Sequence, residues 1–156
     1  MAKAGFHKEI ADTYTILISD SVFDEITRRG LSGSVEYKQL LRDKKLSIIP
    51  VINEKPADSR LQKLDRGERD ILLLFHNGLG DFIVTDDGAA ARYCLNKKIP
   101  FVNSLLLLRL LHHSTIIDDK VYKTGFRSLL DIGRYSQTVK SFAKNCPESE
   151  LLFFLP

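Results

Sequence analysis

The stretch FIVTDDGAAARYC, residues 82–94, contains the change from an apolar strand to a helix. Its first four residues, 82–85, predict a short buried strand, and residues 88–96 predict an alanine-rich helix. Asp86 and Asp87 lie between the two elements. In open parallel sheets ligands bind just beyond the carboxyl ends of the strands, so these adjacent carboxylates are candidate functional residues.

Outside this stretch the chain also alternates between apolar strand patterns and helical patterns. The other predicted strands are residues 15–18, 46–51 and 99–102. The other predicted helices are residues 3–13, 21–29, 35–44, one that starts near Gly67, residues 104–113, and two between residues 117 and 145 that join near Gly133. Residues 19–21 form a cluster of capping residues, and Ser21 with Asp24 resembles a capping box at the start of the second helix. Residues 52–63 predict a polar loop. This order predicts an α/β fold, a three-layer α/β/α sandwich with a mainly parallel sheet. We expect a single domain over residues 1–156, with an apolar tail at residues 149–156.

Composition limits the classes of function that the chain can serve. A length of 156 residues with 44% hydrophobic and 28% charged residues is typical of one globular domain. No apolar run is long enough to cross a bilayer, and the amino terminus lacks a secretory signal, so we expect a cytoplasmic protein with no membrane partner. The cysteines, Cys94 and Cys146, lack the spacing of a zinc site or a disulfide scaffold, and Cys94, in an alanine-rich helix, is expected to be a small core residue. A net charge of +3 is compatible with polyanion binding but too small to indicate it.

Carboxylates follow each of the first three predicted strands. Glu25 lies in the helix after the first strand, Glu68 opens the helix after the second, and Asp86 and Asp87 follow the third. Each has an ordinary interpretation, as a helix cap for Asp87, a dipole partner for Glu68 and a solvated residue for Glu25. However, Glu25 and Glu68 border apolar residues, where an unpaired charge costs several kcal/mol.

A shared divalent cation would offset that cost. Carboxylates without converging histidine or cysteine suit Mg²⁺ or Mn²⁺, which prefer oxygen ligands. Such a metal lowers the pKa of bound water and holds a phosphodiester during in-line attack. The pattern therefore indicates hydrolysis of phosphate esters.

Three segments of the chain resemble the PIN domain family. The string LDRGERDILLLFHNGLGDFIVTDDGAAARYCLNKKIPFVNSLLLLRLL, residues 64–111, is similar to the central part of PIN domains, with a Gly-Glu helix start and a strand that ends in Thr-x-Asp. Residues 2–26, AKAGFHKEIADTYTILISDSVFDEI, resemble the family's first helix, second strand and Val-x-x-Glu-Ile helix. Residues 117–136, IDDKVYKTGFRSLLDIGRYS, extend the resemblance toward the carboxyl terminus, and the closest likeness is to prokaryotic toxin nucleases.

This resemblance implies an Mg²⁺- or Mn²⁺-dependent ribonuclease on an α/β/α sandwich. It implies that Glu25, Glu68 and Asp87 are catalytic residues and metal ligands, with Asp86 as an assisting ligand. Thr85 would orient the acid cluster, and Asn103 would be a further polar residue of the site. The implied partners are RNA, an antitoxin or other protein, and a second copy in a homodimer. Four cations are candidates for steering RNA toward the acids, namely Arg28, Arg29, Lys97 and Lys98.

The sequence departs from the family pattern at its beginning. PIN domains start with a central strand that ends in an aspartate ligand, whereas the resemblance here starts after that strand. Asp12 imitates the motif, but its use would leave no helices before the next strand. This departure leaves an expected gap in the sheet. We expect the apolar tail to dock as an amphipathic segment, and its addition to a sheet as a strand is the alternative.

Two other readings remain open. The first is a catalytically impaired PIN-like module that binds a partner or dimerises. The second is a phospho-accepting receiver domain, which fits poorly because Asn103 stands where a basic residue is expected. His112 and His113 point in different directions on a helix, which predicts surface or capping roles rather than metal binding.

Overall fold

The computed structural model describes residues 5–52 and 58–156, in two compact units. One unit comprises residues 1–14 and 103–156, and the other comprises residues 15–102. The elements in chain order are α1 (His7–Thr13), β1 (Ile16–Ser19), α2 (Asp20–Ile26), α3 (Ser34–Arg42), β2 (Leu46–Ile49), α4 (Arg66–His76), β3 (Ile83–Val84), α5 (Gly88–Lys97), β4 (Phe101–Val102), α6 (Ser104–His113), α7 (Asp119–Ile132), α8 (Gln137–Asn145) and α9 (Glu148–Leu151).

All four strands lie in the unit of residues 15–102 and pair in parallel. β1 pairs with β2, with Ile16 opposite Leu46, and β3 pairs with β4, with Ile83 opposite Phe101. The predicted α/β class with parallel strands is confirmed. Among the described residues the strands form two separate pairs rather than one four-stranded sheet. α4 packs against both β1 and β3, so this helix contacts a strand of each pair.

Each unit has its own apolar interior. In the unit of residues 15–102, α4, α5, β3 and β4 contribute to a cluster that includes Leu72, Ile83 and Cys94. In the other unit, α6 is buried on nearly every side and packs against α7 and α8. Because Cys94 is fully buried among apolar residues, its predicted role as a small core residue agrees with the structure.

One local prediction is wrong, and one of the two alternatives for the tail is excluded. Ser19, not Ser21, caps α2, because Ser19 ends β1 in an extended conformation and its side chain accepts a hydrogen bond from the Val22 N–H. The apolar tail forms no added strand. It continues as α9 and a short 3₁₀ turn, Leu152–Phe154, and Leu151 is fully buried.

The remaining predicted elements are present with shifted ends. The strand predicted at residues 46–51 ends at Ile49, and the strand predicted at residues 99–102 is limited to Phe101–Val102. Of the loop predicted at residues 52–63, residues 53–57 lie outside the described residues, and Leu61–Lys63 form a 3₁₀ turn. Across the described part of the chain, no helix is both long and apolar enough to cross a membrane.

Candidate active site

Asp87 lies at the N-cap of α5, directly beyond β3. Its Oδ1 accepts hydrogen bonds from the N–H groups of Ala89, at 2.6 Å, and Ala90, at 2.9 Å. The Asp87 N–H in turn donates to Oγ1 of Thr85 at 3.1 Å, so Thr85 fixes the backbone at the acid. The N–H of Ala90 contributes most to lowering the pKa of Asp87, which therefore stays an anion at neutral pH.

Glu68 occupies the third position of α4 and is half-buried. It accepts a hydrogen bond from the N–H of Asp65, the N-cap residue, as in one half of a capping box. Burial, followed by the negative charges of Asp87 and Asp65, raises the pKa of Glu68 from 4.5 to about 7. The side chains of Glu68 and Asp87 lie within hydrogen-bonding reach, and their interaction raises the pKa of Glu68 and lowers that of Asp87.

Glu25 approaches the residue that precedes Glu68. A Cβ atom built on Gly67 would lie 3.2 Å from Oε2 of Glu25 and 3.1 Å from Cγ2 of Val22. Glycine at position 67 thus permits α2 to lie close against the first turn of α4. Glu25 itself is exposed, so the desolvation cost expected for it from sequence does not arise.

The structure places two of the three predicted acids, Glu68 and Asp87, side by side, and it places Glu25 near the first turn of α4. Glu68 and Asp87 touch directly, and Glu25 lies against the backbone of α4 at Gly67. Among the described residues, no group of three or more His, Cys, Asp and Glu side chains is arranged so that it could hold a metal ion. The oxygen donors of the Glu68 and Asp87 pair suit a hard cation chemically, and the full ligand set stays a prediction.

The two supporting residues have separate positions. Asp86 is exposed and lies between Thr85 and Asp87 at the end of β3. Asn103 belongs to the unit of residues 1–14 and 103–156 and caps α6, because its Oδ1 accepts a hydrogen bond from the Leu106 N–H at 2.9 Å. The capping role is the one that the structure gives to Asn103.

Of the four cations expected near the acids, two lie elsewhere. Lys97 and Lys98 follow Asp87 by a full helix of ten residues, which separates them by about 15 Å along α5. Lys97 is engaged there in an ion pair, 2.9 Å from Oδ2 of Asp58. Arg28 and Arg29 are exposed just after α2, so their contact with RNA stays a prediction.

Sequence reasoning missed Arg92. Its Nη1 lies 3.3 Å from the position that a Cβ on Gly88 would take, so the side chain folds back over the first turn of α5. Its positive charge contributes to the lowered pKa of Asp87. The spacing of four residues between Gly88 and Arg92 was the available signal, because residues four apart lie on one helix face.

Asp70 was also missed as a buried acid. Only 5% of this residue is exposed, and its Oδ2 accepts a hydrogen bond from Oγ of Ser21 at 2.5 Å. The signal in the sequence was its position three residues after Gly67 and four before Leu74, both of which are buried on α4. A carboxylate in such a row requires a partner on a neighbouring element.

The two adjacent histidines, His112 and His113, each contact an acid of a following helix. Nε2 of His112 lies 2.8 Å from Oδ1 of Asp119, and Nδ1 of His113 lies 3.8 Å from Oε1 of Glu148. Both side chains are partly exposed, as expected for residues at a helix end rather than in a shared metal site.

Comparison with known proteins gives one match. A protein-family model described as a PIN domain matches residues 2–141, which is most of the chain and includes all the candidate site residues. No curated protein and no solved structure matches the chain significantly.

Proposed function

Because the chain belongs to the PIN domain family, we propose that it is an Mg²⁺- or Mn²⁺-dependent ribonuclease that hydrolyses phosphodiester bonds in RNA. PIN domains generally use divalent metal ions. The observation that carries the proposal is the contact between the carboxyl groups of Glu68 and Asp87 at the end of β3. Two adjacent carboxyls, one of which tends to carry a proton, form a site at which a divalent cation can replace that proton.

Each acid has a defined part in the proposal. Asp87 would supply a permanent negative charge, fixed by the N–H groups of α5 and by Thr85. Glu68 would become a ligand on loss of its proton, and Glu25 and Asp86 would complete the set. The cation, when bound, supplies a water of lowered pKa and neutralises charge on the phosphate.

Arg92 would bind a phosphate of the RNA beside the acids. It makes no hydrogen bond and no ion pair within 4.0 Å among the described residues, so its guanidinium can pair with an oxygen of the substrate. Arg92→Ala should weaken RNA binding and reduce the salt dependence of the affinity by about one phosphate contact. Fluorescence anisotropy with a labelled single-stranded RNA in Ca²⁺, across a salt series, measures both.

Arg42 provides the matched control for this variant. It is exposed and ends α3, just before the amino end of β2, whereas the candidate acids follow the carboxyl ends of strands. Arg42→Ala should leave both the affinity and its salt dependence unchanged. Equal losses in the two variants would refute a specific phosphate contact by Arg92.

Cleavage of a fluorogenic RNA in Mn²⁺ tests the catalytic assignment. Asp87→Asn keeps the size of the side chain and an oxygen for the cap, and it should lower the cleavage rate by at least roughly 100-fold, more than loss of a supporting group of a metal site costs. Asp131→Asn, an exposed substitution on α7, is the control and should cleave at the rate of the original protein. Undiminished cleavage by Asp87→Asn, with circular dichroism showing a folded protein, would reject the assignment.

A second candidate is a catalytically impaired PIN-like module that binds a partner or dimerises. The exposure of Glu25 and the lack of a three-acid metal group among the described residues favour it. The two candidates differ in their response to metal. Isothermal titration with Mn²⁺ should give saturable binding for a nuclease and none for the module.

A further inference from the structure

A line of hydrogen bonds joins the end of β1, the start of α2 and the middle of α4. Ser19, which is fully buried, has its Oγ 2.9 Å from Oγ of Ser21. The Ser21 hydroxyl donates to Oδ2 of Asp70 at 2.5 Å. We call these three residues, Ser19, Ser21 and Asp70, the serine–aspartate clamp.

Burial of the Asp70 carboxylate strengthens the case that its hydrogen bond with Ser21 is maintained. A buried charge is costly unless hydrogen bonds and opposite charges compensate it. Nε of Arg66 lies 3.6 Å from Oδ2 of Asp70, and Nε of Arg69 lies 3.9 Å from its Oδ1. The two arginines supply opposite charge from α4 itself, whereas Ser21 is the partner that reaches it from α2.

The helices α2 and α4 also approach each other at a second point, one helical turn away from the Ser21–Asp70 bond. Ser21 and Glu25 are four residues apart on one face of α2, and Gly67 and Asp70 are three residues apart on one face of α4. Ser21 contacts Asp70, and Oε2 of Glu25 lies 3.2 Å from the position that a Cβ on Gly67 would take. The order of these two pairs along the helices shows that α2 and α4 run antiparallel here. The hydrogen bond between Ser21 and Asp70 therefore also fixes where Glu25 lies along α4.

We infer that the serine–aspartate clamp is a positioning device that holds Glu25 against the first turn of α4, beside Glu68. Neither Ser21 nor Asp70 touches the substrate or the cation in this scheme. They act through Glu25, which as an exposed side chain on the seven-residue helix α2 has few other restraints. The inference rests on the proposed function, because the purpose of the clamp is to complete the acid site.

The first test measures Mn²⁺ affinity by isothermal titration in a mutant cycle. Ser21→Ala should lower the affinity about 10-fold, at the lower end of the range seen when a supporting partner of a metal ligand is lost. In a Glu25→Gln background the same Ser21→Ala substitution should cause no further loss, because its effect passes through Glu25. Ser128→Ala, a half-buried serine on α7, is the matched control and should leave affinity unchanged.

This cycle separates positioning from a general effect on folding. If Ser21 had a purely structural role, Ser21→Ala would lower the Mn²⁺ affinity by the same factor in the original protein and in the Glu25→Gln background. That result, or an unchanged affinity in Ser21→Ala, would overturn the inference.

The second test needs no metal. In Gly67→Ala the new methyl group meets Glu25 and Val22, so a loosened α2 should accommodate it more easily than a clamped one. The shift in melting temperature caused by Gly67→Ala should therefore be more favourable in the Ser21→Ala background than in the original protein. Equal shifts in both backgrounds would show that the clamp does not set the distance between α2 and α4, and would overturn the inference.

The two tests also separate this inference from the proposed function. If the original protein binds no Mn²⁺, the proposed function fails, and with it the role of the clamp in a metal site. Coupling between Ser21→Ala and Gly67→Ala would then still establish the clamp as the device that places Glu25. If Mn²⁺ binds but neither cycle shows coupling, the metal site stands and the clamp is rejected.

Discussion

At the scale of single residues, the environment of Glu68 is the chemical centre of the account. The burial of its carboxyl and its closeness to two other acids disfavour its charged form, while the N–H groups of α5 favour the charged form of Asp87. Below about pH 7 Glu68 therefore tends to carry a proton beside the ionised Asp87. A pair of acids pushed apart in pKa by their surroundings is typical of a functional site.

The raised pKa of Glu68 predicts how stability changes with pH. Between pH 4.5 and about 7 the folded protein keeps a proton on Glu68 that the unfolded chain has released. The free energy of unfolding therefore falls as pH rises through this window, by about 1 kcal/mol after allowance for screening of a half-exposed group. Below pH 4.5 both states are protonated and the contribution is fully present.

Glu68→Gln should lose this dependence, because an amide does not titrate. Urea denaturation at pH 5 and pH 8 should show that the variant gains stability relative to the original protein as pH rises. Glu36→Gln is the matched control, since Glu36 is an exposed glutamate at the same third position of α3. A stability difference between Glu68→Gln and the original protein that does not vary with pH would contradict the raised pKa.

At the scale of elements, helix starts decide which side chains meet. The residues that cap α2, α5 and α6, which are Ser19, Asp87 and Asn103, each lie at the end of a strand or within three residues after it. The sequence showed clusters of capping residues at these points, so the existence of each helix was predictable. It did not show which member of a cluster caps, because that depends on where the extended backbone ends, and Ser21 was consequently misassigned.

α1 and α7 meet at a glycine in a way that gives a direct test of packing. A Cβ on Gly125 would overlap the ring of Phe6, which is buried. Gly125→Ala should therefore lower the free energy of unfolding by about 1–3 kcal/mol, despite the better helix propensity of alanine. Thermal and urea denaturation measure the change.

The control for this packing prediction lies one residue earlier on α7. Thr124 is exposed, and Thr124→Ala should change stability by no more than about 0.5 kcal/mol. If Gly125→Ala proved as stable as the original protein, the close contact between Phe6 and α7 would be disproved.

At the scale of the whole chain, the sequence predicted the order of strands and helices and the α/β class. Periodicity was sufficient for this because each buried strand and each amphipathic helix carries its own local pattern. The division of the strands into two pairs could not be predicted, since pairing depends on contacts between distant segments. The helical form of the residues after Pro147 was also missed, because a short apolar run has no periodicity that separates strand from helix.

The candidate site was predictable only in part for the same reason. Glu68 and Asp87 were identified because both follow strand–helix junctions, where a parallel fold gathers side chains. Asp70 and Arg92 were not, because their importance arises from contacts with Ser21 and with the N-terminal turn of α5.

The melting temperature in Mn²⁺ tests the central claim, that Glu68 and Asp87 form a cation site, most directly. At pH 8 and a free Mn²⁺ concentration of 100 times Kd, the free energy of unfolding of the original protein should rise by about 2.7 kcal/mol. Its melting temperature should rise accordingly, by roughly 2–4 °C for each kcal/mol. Asp87→Asn should gain much less at the same concentration. A melting temperature that Mn²⁺ leaves unchanged in the original protein, or that rises equally in Asp87→Asn, would contradict the account.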